Sequence, residues 1–201
     1  MAVALLKEPP ISPDSDLGPY RRGDYETLPD EPRCELIFGR FYLSPSPSIL
    51  HQTVLLLLSR RLDDIAMATG GTLFVAPLDV TLADHSVVQP DLFYISAARR
   101  RILHERVEGA PDLVIEILSP GTARRDRGQK LALYADSDVR EYWIVDALER
   151  QIELLVNEGG RFIVALPEGD EYRSRALPEI HLHLPAFWKG VEERLGGLDP
   201  L

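Results

Sequence analysis

Two carboxylates and a lysine stand in this chain where they are costly unless they do chemistry. Glu116 interrupts the apolar run Leu113-Val114-Ile115-Glu116-Ile117-Leu118, and Asp91 follows Pro90 between Val87-Val88 and the next apolar stretch. A carboxylate buried in such a run costs several kcal/mol unless a cation or hydrogen-bond donors compensate it. Lys130 follows Glu116 by 14 residues. Two acids on neighbouring strands with a lysine close behind suit a hard divalent cation, Mg2+ or Mn2+. Mg2+ takes oxygen ligands and is usually held by one or two carboxylates, waters and a substrate phosphate. Such an ion neutralises phosphate oxygens and activates water, which is what phosphodiester hydrolysis requires. Asp91 and Glu116 are the expected ligands, with the Ile117 backbone carbonyl as a third. Lys130 would orient or deprotonate the attacking water, or stabilise transition-state charge. Glu35, on an early hairpin, is placed to reach the same cleft as a further catalytic acid. Tyr134 lies one helical turn beyond Lys130 on the same face.

The elements that must position these residues follow from pattern and punctuation. A short helix is expected over 20–28, a strand over 35–38, a turn at Gly39 and its hairpin partner over 40–43. Ser44-Pro45-Ser46-Pro47-Ser48 breaks the chain and supplies an N-cap. Apolar residues at helical spacing then predict one long helix to Thr69, stopped by Gly70-Gly71. Short strands are expected over 73–75 and 78–82, a strand with Pro90 inside it over 87–95, and another over 113–118. A helix over about 124–135 carries Lys130 and Tyr134. Strands over 141–146, 151–156, 161–166 and 180–184 lead to a short helical stub over 184–188. This order predicts an α/β (mixed α+β) fold, with a mixed central sheet flanked by helices and an extra N-terminal hairpin. Prolines make 1–19 an irregular arm. Residues 20–188 form one domain, and 189–201 a frayed tail.

Composition bounds the function. The chain has 201 residues, 45% hydrophobic and 27% charged, ordinary for a globular protein. Cys34 is its single cysteine. That excludes an internal disulfide framework and a Cys-rich zinc site, and fits a reducing cytoplasm. The N-terminus lacks a signal-peptide layout, and the longest apolar run, 54–58, is too short to span a bilayer. Net charge is −10, yet residues 99–130 hold eight Lys/Arg against five acids. A basic rim on an acidic body steers a polyanion. Arg124, Arg125, Arg127 and Gln129 are therefore candidate substrate contacts, with Tyr134 in support. Structural explanations compete at each position. Asp91 could end a strand, Glu116 could pair with an arginine, and Lys130 and Tyr134 could form an exposed helix face. Glu35 could pair with Arg33 or Arg40. His51 reads as a cap or packing residue, and His181-x-His183 as surface.

Several blocks together resemble one family. They are Cys34-Glu35-Leu36-Ile37-x-Gly39, Ser44-Pro45-Ser46-Pro47-x-x-x-His51, Val88-Gln89-Pro90-Asp91-Leu92, and Pro111-Asp112-Leu113-Val114-Ile115-Glu116-Ile117-Leu118-Ser119-Pro120-x-Thr122. Asp126-x-x-x-Lys130-x-x-x-Tyr134 and Val139-x-Glu141-Tyr142-Trp143-Ile144-Val145-Asp146 follow. In this order, over about residues 20–185, they resemble the Uma2 (DUF820) family of nucleases. The resemblance implies a restriction-endonuclease-like PD-(D/E)XK core and a Mg2+- or Mn2+-dependent endonuclease acting on DNA. It puts Asp91 and Glu116 on the motif acids and Glu35 on an earlier one. The standard motif lysine would fall at 118, where this chain has Leu118. That departure is shared with the Uma2 pattern, in which a lysine on the following helix, here Lys130, takes the role. A standalone core of this size suggests a homodimer with two sites facing two strands. The alternative is a catalytically weak dimeric nucleic-acid-binding or assembly module that keeps the fold.

Overall fold

The computed structural model describes residues 17–29 and 31–198. The arm expected at 1–19 lies, for residues 1–16, outside the described residues, as does the end of the tail, 199–201.

After a single-turn helix α1 (Arg22–Tyr25), strands β1 (Cys34–Ile37) and β2 (Arg40–Leu43) form the expected hairpin. Phe38 and Gly39 both have positive φ, 49° and 73°, as a two-residue hairpin turn of the right twist demands. A Cβ on Gly39 would stand 2.3 Å from the Gly18 carbonyl oxygen, so only glycine fits there. Helix α2 (Ile49–Ala68) starts at Ser48, whose hydroxyl accepts the His51 N–H at 3.1 Å. Its buried stripe includes Leu50, Val54, Leu58 and Leu62, the periodicity visible in the sequence.

The strands fall into two main sheets. Strands β3 (Thr72–Val75), β6 (Leu92–Ile95), β8 (Leu113–Ile117), β9 (Glu141–Asp146), β10 (Gln151–Asn157) and β11 (Phe162–Val164) make a mixed six-stranded sheet in the order β11-β10-β9-β8-β6-β3. Strands β4 (Val80–Ala83), β5 (Ser86–Val88) and β7 (Val107–Glu108) join the hairpin in a five-stranded sheet, β2-β1-β5-β4-β7. The N-terminal hairpin is thus part of a second sheet. The one strand expected over 87–95 is two strands in different sheets. Pro90 has no N–H to give a ladder, and Gln89-Pro90-Asp91 carries the chain across from β5 to β6.

Beyond β8 the chain is helical from 123 to 136, but not uniformly. α3 (Ala123–Arg125) and α4 (Leu131–Asp136) flank a π turn over Asp126–Lys130. A small ribbon of β12 (Glu171–Arg173) and β13 (His181–His183) precedes α5 (Leu184–Leu195). The tail expected to fray from 189 is instead helical to Leu195 and stops at Gly196 in the left-handed region. Phe187 and Val191, one turn apart, are buried and hold it down. No described helix is long and apolar enough to cross a membrane.

Alternation along β8 sorts its side chains. Leu113, Ile115 and Ile117 face the cluster formed with α2 and α5, while Val114 faces the other cluster with Phe93, Tyr134 and Tyr142. Glu116 shares the face of Val114, toward the 123–136 helix.

Candidate active site

Antiparallel pairing of β6 with β8 sets Leu92 opposite Ile115 and Phe93 opposite Val114. One step beyond the last pair, Asp91 stands opposite Glu116, on the face that Phe93 and Val114 share. The Ile117 N–H donates to Asp91 Oδ2 at 2.8 Å, and His51 Nε2 lies 3.2 Å from the same oxygen. Both ties fall on Oδ2, which leaves Oδ1 for another partner. The side chain is 20% exposed, the most open of the acids here.

Glu116 is deeper, at 4% exposure. Lys130 Nζ donates to its Oε1 at 2.8 Å and the Tyr134 hydroxyl donates to the same oxygen at 2.7 Å. Its Oε2 receives neither. Glu35 enters from the other sheet. Its Oε1 accepts the Gln89 N–H at 2.8 Å and meets Lys130 Nζ at 2.9 Å, while Oε2 lies 3.7 Å from Arg125 Nη1. Neither Arg33 nor Arg40 is its partner. Lys130 therefore rivets the two sheets together through one acid from each.

The π turn brings a further acid to the cluster. Asp126 is 2% exposed, and its Oδ1 stands 3.9 Å from Lys130 Nζ with no hydrogen bond of its own. π turns insert one residue into a helix and recur at functional sites. Asp91, Glu116, Glu35, Asp126, Lys130 and His51, with Arg33, Arg125, Ser119 and Thr122, line a cleft of about 110 Å3 between the sheets.

Charge is unbalanced there. Four carboxylates, Asp91, Glu116, Glu35 and Asp126, face three cations, Lys130, Arg125 and the half-buried Arg33. Burial pushes Glu116 well above the usual carboxylate range; Lys130 opposes that shift, and Asp126, Asp91 and Glu35 add to it. Burial likewise pushes Asp126 up to about 6, again against Lys130. For Lys130, burial works against the charge, but Glu116, Glu35 and Asp126 outweigh it and raise the ammonium above its ordinary value. Lys130 thus keeps its proton. Of its expected roles, orienting and charge stabilisation suit it, and deprotonating water does not.

The donor set fits a hard cation with few protein ligands. Among the described residues no three His, Cys, Asp or Glu side chains form a ready cage. Mg2+ commonly makes do with one or two carboxylates and keeps its waters. The uncommitted oxygens of Asp91 and Glu116, and the excess of buried negative charge, are the features such an ion would satisfy.

Of the candidate substrate contacts, Arg125 and Tyr134 join the cluster, with Arg125 also stacked 4.7 Å over the Tyr42 ring. Three others do not line the cleft. Arg127 is turned outward to Glu153 at 2.6 Å and Asp146 at 3.2 Å. Gln129 donates to the Tyr42 hydroxyl at 2.6 Å, and Arg124 is exposed. The helix turns these positions away from the face that carries Lys130. Two site residues lay outside the sequence expectation, His51 and Asp126. Both are charged or polar positions inside the quoted motif blocks, which was the available signal. His181 and His183 are remote from the site. His183 Nδ1 caps α5 by accepting the Ala186 N–H at 3.2 Å.

The two sheets, the chain crossing between them at Gln89-Pro90-Asp91, and acids from both meeting at the seam define this fold and site. A solved structure titled as a "putative nuclease belonging to DUF820", from Anabaena variabilis ATCC 29413, is similar to it with a TM-score of 0.72. It is 19% identical, and the match covers 86% of this chain and 99% of that one, so the likeness is one of fold. Residues 22–185 match the Uma2 family, described as "Putative restriction endonuclease", and the chain belongs to that family. No curated protein matches it.

Proposed function

We propose that the protein is a Mg2+- or Mn2+-dependent nuclease that hydrolyses phosphodiester bonds of DNA. Asp91, Glu116 and the Ile117 carbonyl would hold the ion, and Lys130 and Glu35 would complete the catalytic set. The observation that carries this reading is the meeting of Asp91 and Glu116 on one sheet face, each with an oxygen left over from its hydrogen bonds. When bound, a divalent ion supplies charge neutralisation at the phosphate and a more acidic water. The chain's own residues do the rest. His51 and the Ile117 N–H fix the rotamer of Asp91. Tyr134 and Lys130 fix Glu116, and the Lys130 ammonium offers a preorganised positive charge to the phosphate. Arg125 and Arg33 extend that positive wall, and exposed Arg124 offers a contact to a flanking phosphate.

A homodimer would present two clefts to the two strands of a duplex, and light scattering that finds a monomer at micromolar concentration counts against it. The buried free thiol of Cys34 suits a cytoplasmic setting. Plasmid nicking with Mn2+ tests the reading. Asp91→Asn and Glu116→Gln should each cut the rate by about 100-fold or more while the fold persists. Cleavage that survives excess chelator rejects it. Binding of DNA without cleavage, in any divalent ion, would leave the catalytically weak binding module.

A further inference from the structure

A second cavity opens beside the cleft. It is an open pocket of about 330 Å3, beside about 110 Å3 for the cleft itself. The two share Arg33 and Gln89, and Ala76 lines one while Pro77 lines the other. Gln89 is the partition. Its N–H donates to Glu35 Oε1 in the cleft, and its side-chain Nε2 donates at 2.8 Å to Asp79 Oδ1, which lines only the second cavity.

The cleft is where the reading above puts the phosphate and the ion, and the second cavity adjoins it on the side where a neighbouring nucleoside would lie. The second cavity has the chemistry to receive one. Tyr25, Leu28 and Pro77 give it an aromatic and apolar wall. Of the three acids that line it, Asp79 is paired within the cavity, Glu26 is paired with Arg22 at 2.7 Å, and Glu31 is exposed. Asp79 Oδ1 accepts the Tyr25 hydroxyl at 2.8 Å as well as the Gln89 amide, and Asp79 Oδ2 meets Arg106 at 2.6 Å. An uncharged heterocycle suits that lining better than an anion does. Arg33, at the junction, suits the phosphate that links the two spaces.

The network also fixes a polarity. Gln89 Nε2 faces Asp79 and the Tyr25 hydroxyl, the latter at 3.4 Å, so among the described residues Oε1 is the amide atom left for a ligand. That atom is an acceptor. It matches the exocyclic amine of cytosine, adenine or guanine, and opposes the O4 acceptor of thymine.

We infer that this cavity is a nucleobase subsite. It takes one unpaired, amino-bearing base beside the phosphate held in the cleft, and so directs the enzyme to single-stranded, flapped or frayed DNA. The inference rests on the nuclease reading. A base held in a duplex would first have to leave its stack.

Titration of the isotopically labelled protein with the nucleosides deoxycytidine and thymidine, followed by NMR, tests this without metal or cleavage. Deoxycytidine should shift the amides of Tyr25, Cys34, Asp79 and Gln89. Thymidine should bind roughly 5-fold more weakly, the worth of one hydrogen bond of about 1 kcal/mol. Gln89→Leu, whose backbone contact to Glu35 is retained, should erase that difference. If neither nucleoside shifts these residues, or if both bind alike, the subsite is refuted, and Mn2+-dependent nicking then judges the nuclease reading separately. Should the pocket bind deoxycytidine with that preference while no DNA is cut, base binding stands, and both the nuclease reading and the pocket's role in directing cleavage fall.

Discussion

Replacing Lys130 with methionine removes a cation that the two sheets share. Its ammonium lies 2.8 Å from Glu116, 2.9 Å from Glu35 and 3.9 Å from Asp126, all four side chains being buried. Removing one partner of a buried ion pair costs about 3–5 kcal/mol, because the other charge is left uncompensated. In a domain of this size each kcal/mol is worth about 2–4 °C, so the variant should melt roughly 6–20 °C lower near neutral pH. The loss should depend on pH. Without Lys130, Glu116 and Asp126 are raised further above their unfolded values, because burial and the neighbouring acids act unopposed. Groups raised in this way favour the fold below their unfolded pKa and lose that contribution as pH rises through the folded value. The deficit should therefore be large at about pH 8 and shrink toward about pH 5. Thermal melts of both proteins across that range measure it, with Mn2+ expected to return part of the loss. A Lys130→Met variant melting within about 2 °C of the parent at every pH would refute the charge accounting at this site.

Other consequences are independent. Burial holds Asp126 up to about 6 from an ordinary value near 3.8. Metal-free stability should therefore fall by about 3 kcal/mol as pH rises through that interval. Asp126→Asn should flatten that part of the slope in denaturant titrations, and an unchanged slope would count against it. His51→Phe keeps the bulk but loses the tie to Asp91, and should weaken Mn2+ binding about tenfold by calorimetry, whereas equal affinity would make His51 a packing residue only. Glu141 is fully buried and accepts five hydrogen bonds: from Trp143 and Tyr172 on Oε1, and from Ser174, Arg175 and Ala176 on Oε2. Glu141→Gln sets an amide against at least two of those donors and should cost about 3 kcal/mol or more in unfolding, with cleavage per folded molecule unchanged.

The acids were legible because a charge in an apolar strand is conspicuous on its own. Glu116 needs no knowledge of its neighbours to look out of place, and Pro90-Asp91 marks a break in the same way. What the pattern hid was non-local. Val87 to Ile95 is two apolar stretches about Gln89-Pro90-Asp91, and nothing local to the segment reveals that its halves pair with different sheets. His51 sits on the buried stripe of α2, where helical periodicity gives it a packing role, and only the fold brings Asp91 to it. The donors that surround Glu141 come from 31 to 35 residues downstream, except the local Trp143. The continuation of α5 past Trp188 was missed as well, although Phe187 and Val191 repeat at helical spacing.

The π turn makes the helix that carries the site resistant to improvement. A designer tidying the structure would delete one residue between Asp126 and Lys130 and recover an unbroken α-helix with better-aligned hydrogen bonds. That edit would swing everything beyond it by about 100° about the axis, one residue's worth of rotation. Tyr134, set edge-to-face against Tyr142 at 4.9 Å, would be driven out of its berth, and the ammonium of Lys130 would leave the acids of both sheets. The irregularity is where local comfort has been traded for alignment, and in this scaffold the two cannot be optimised together.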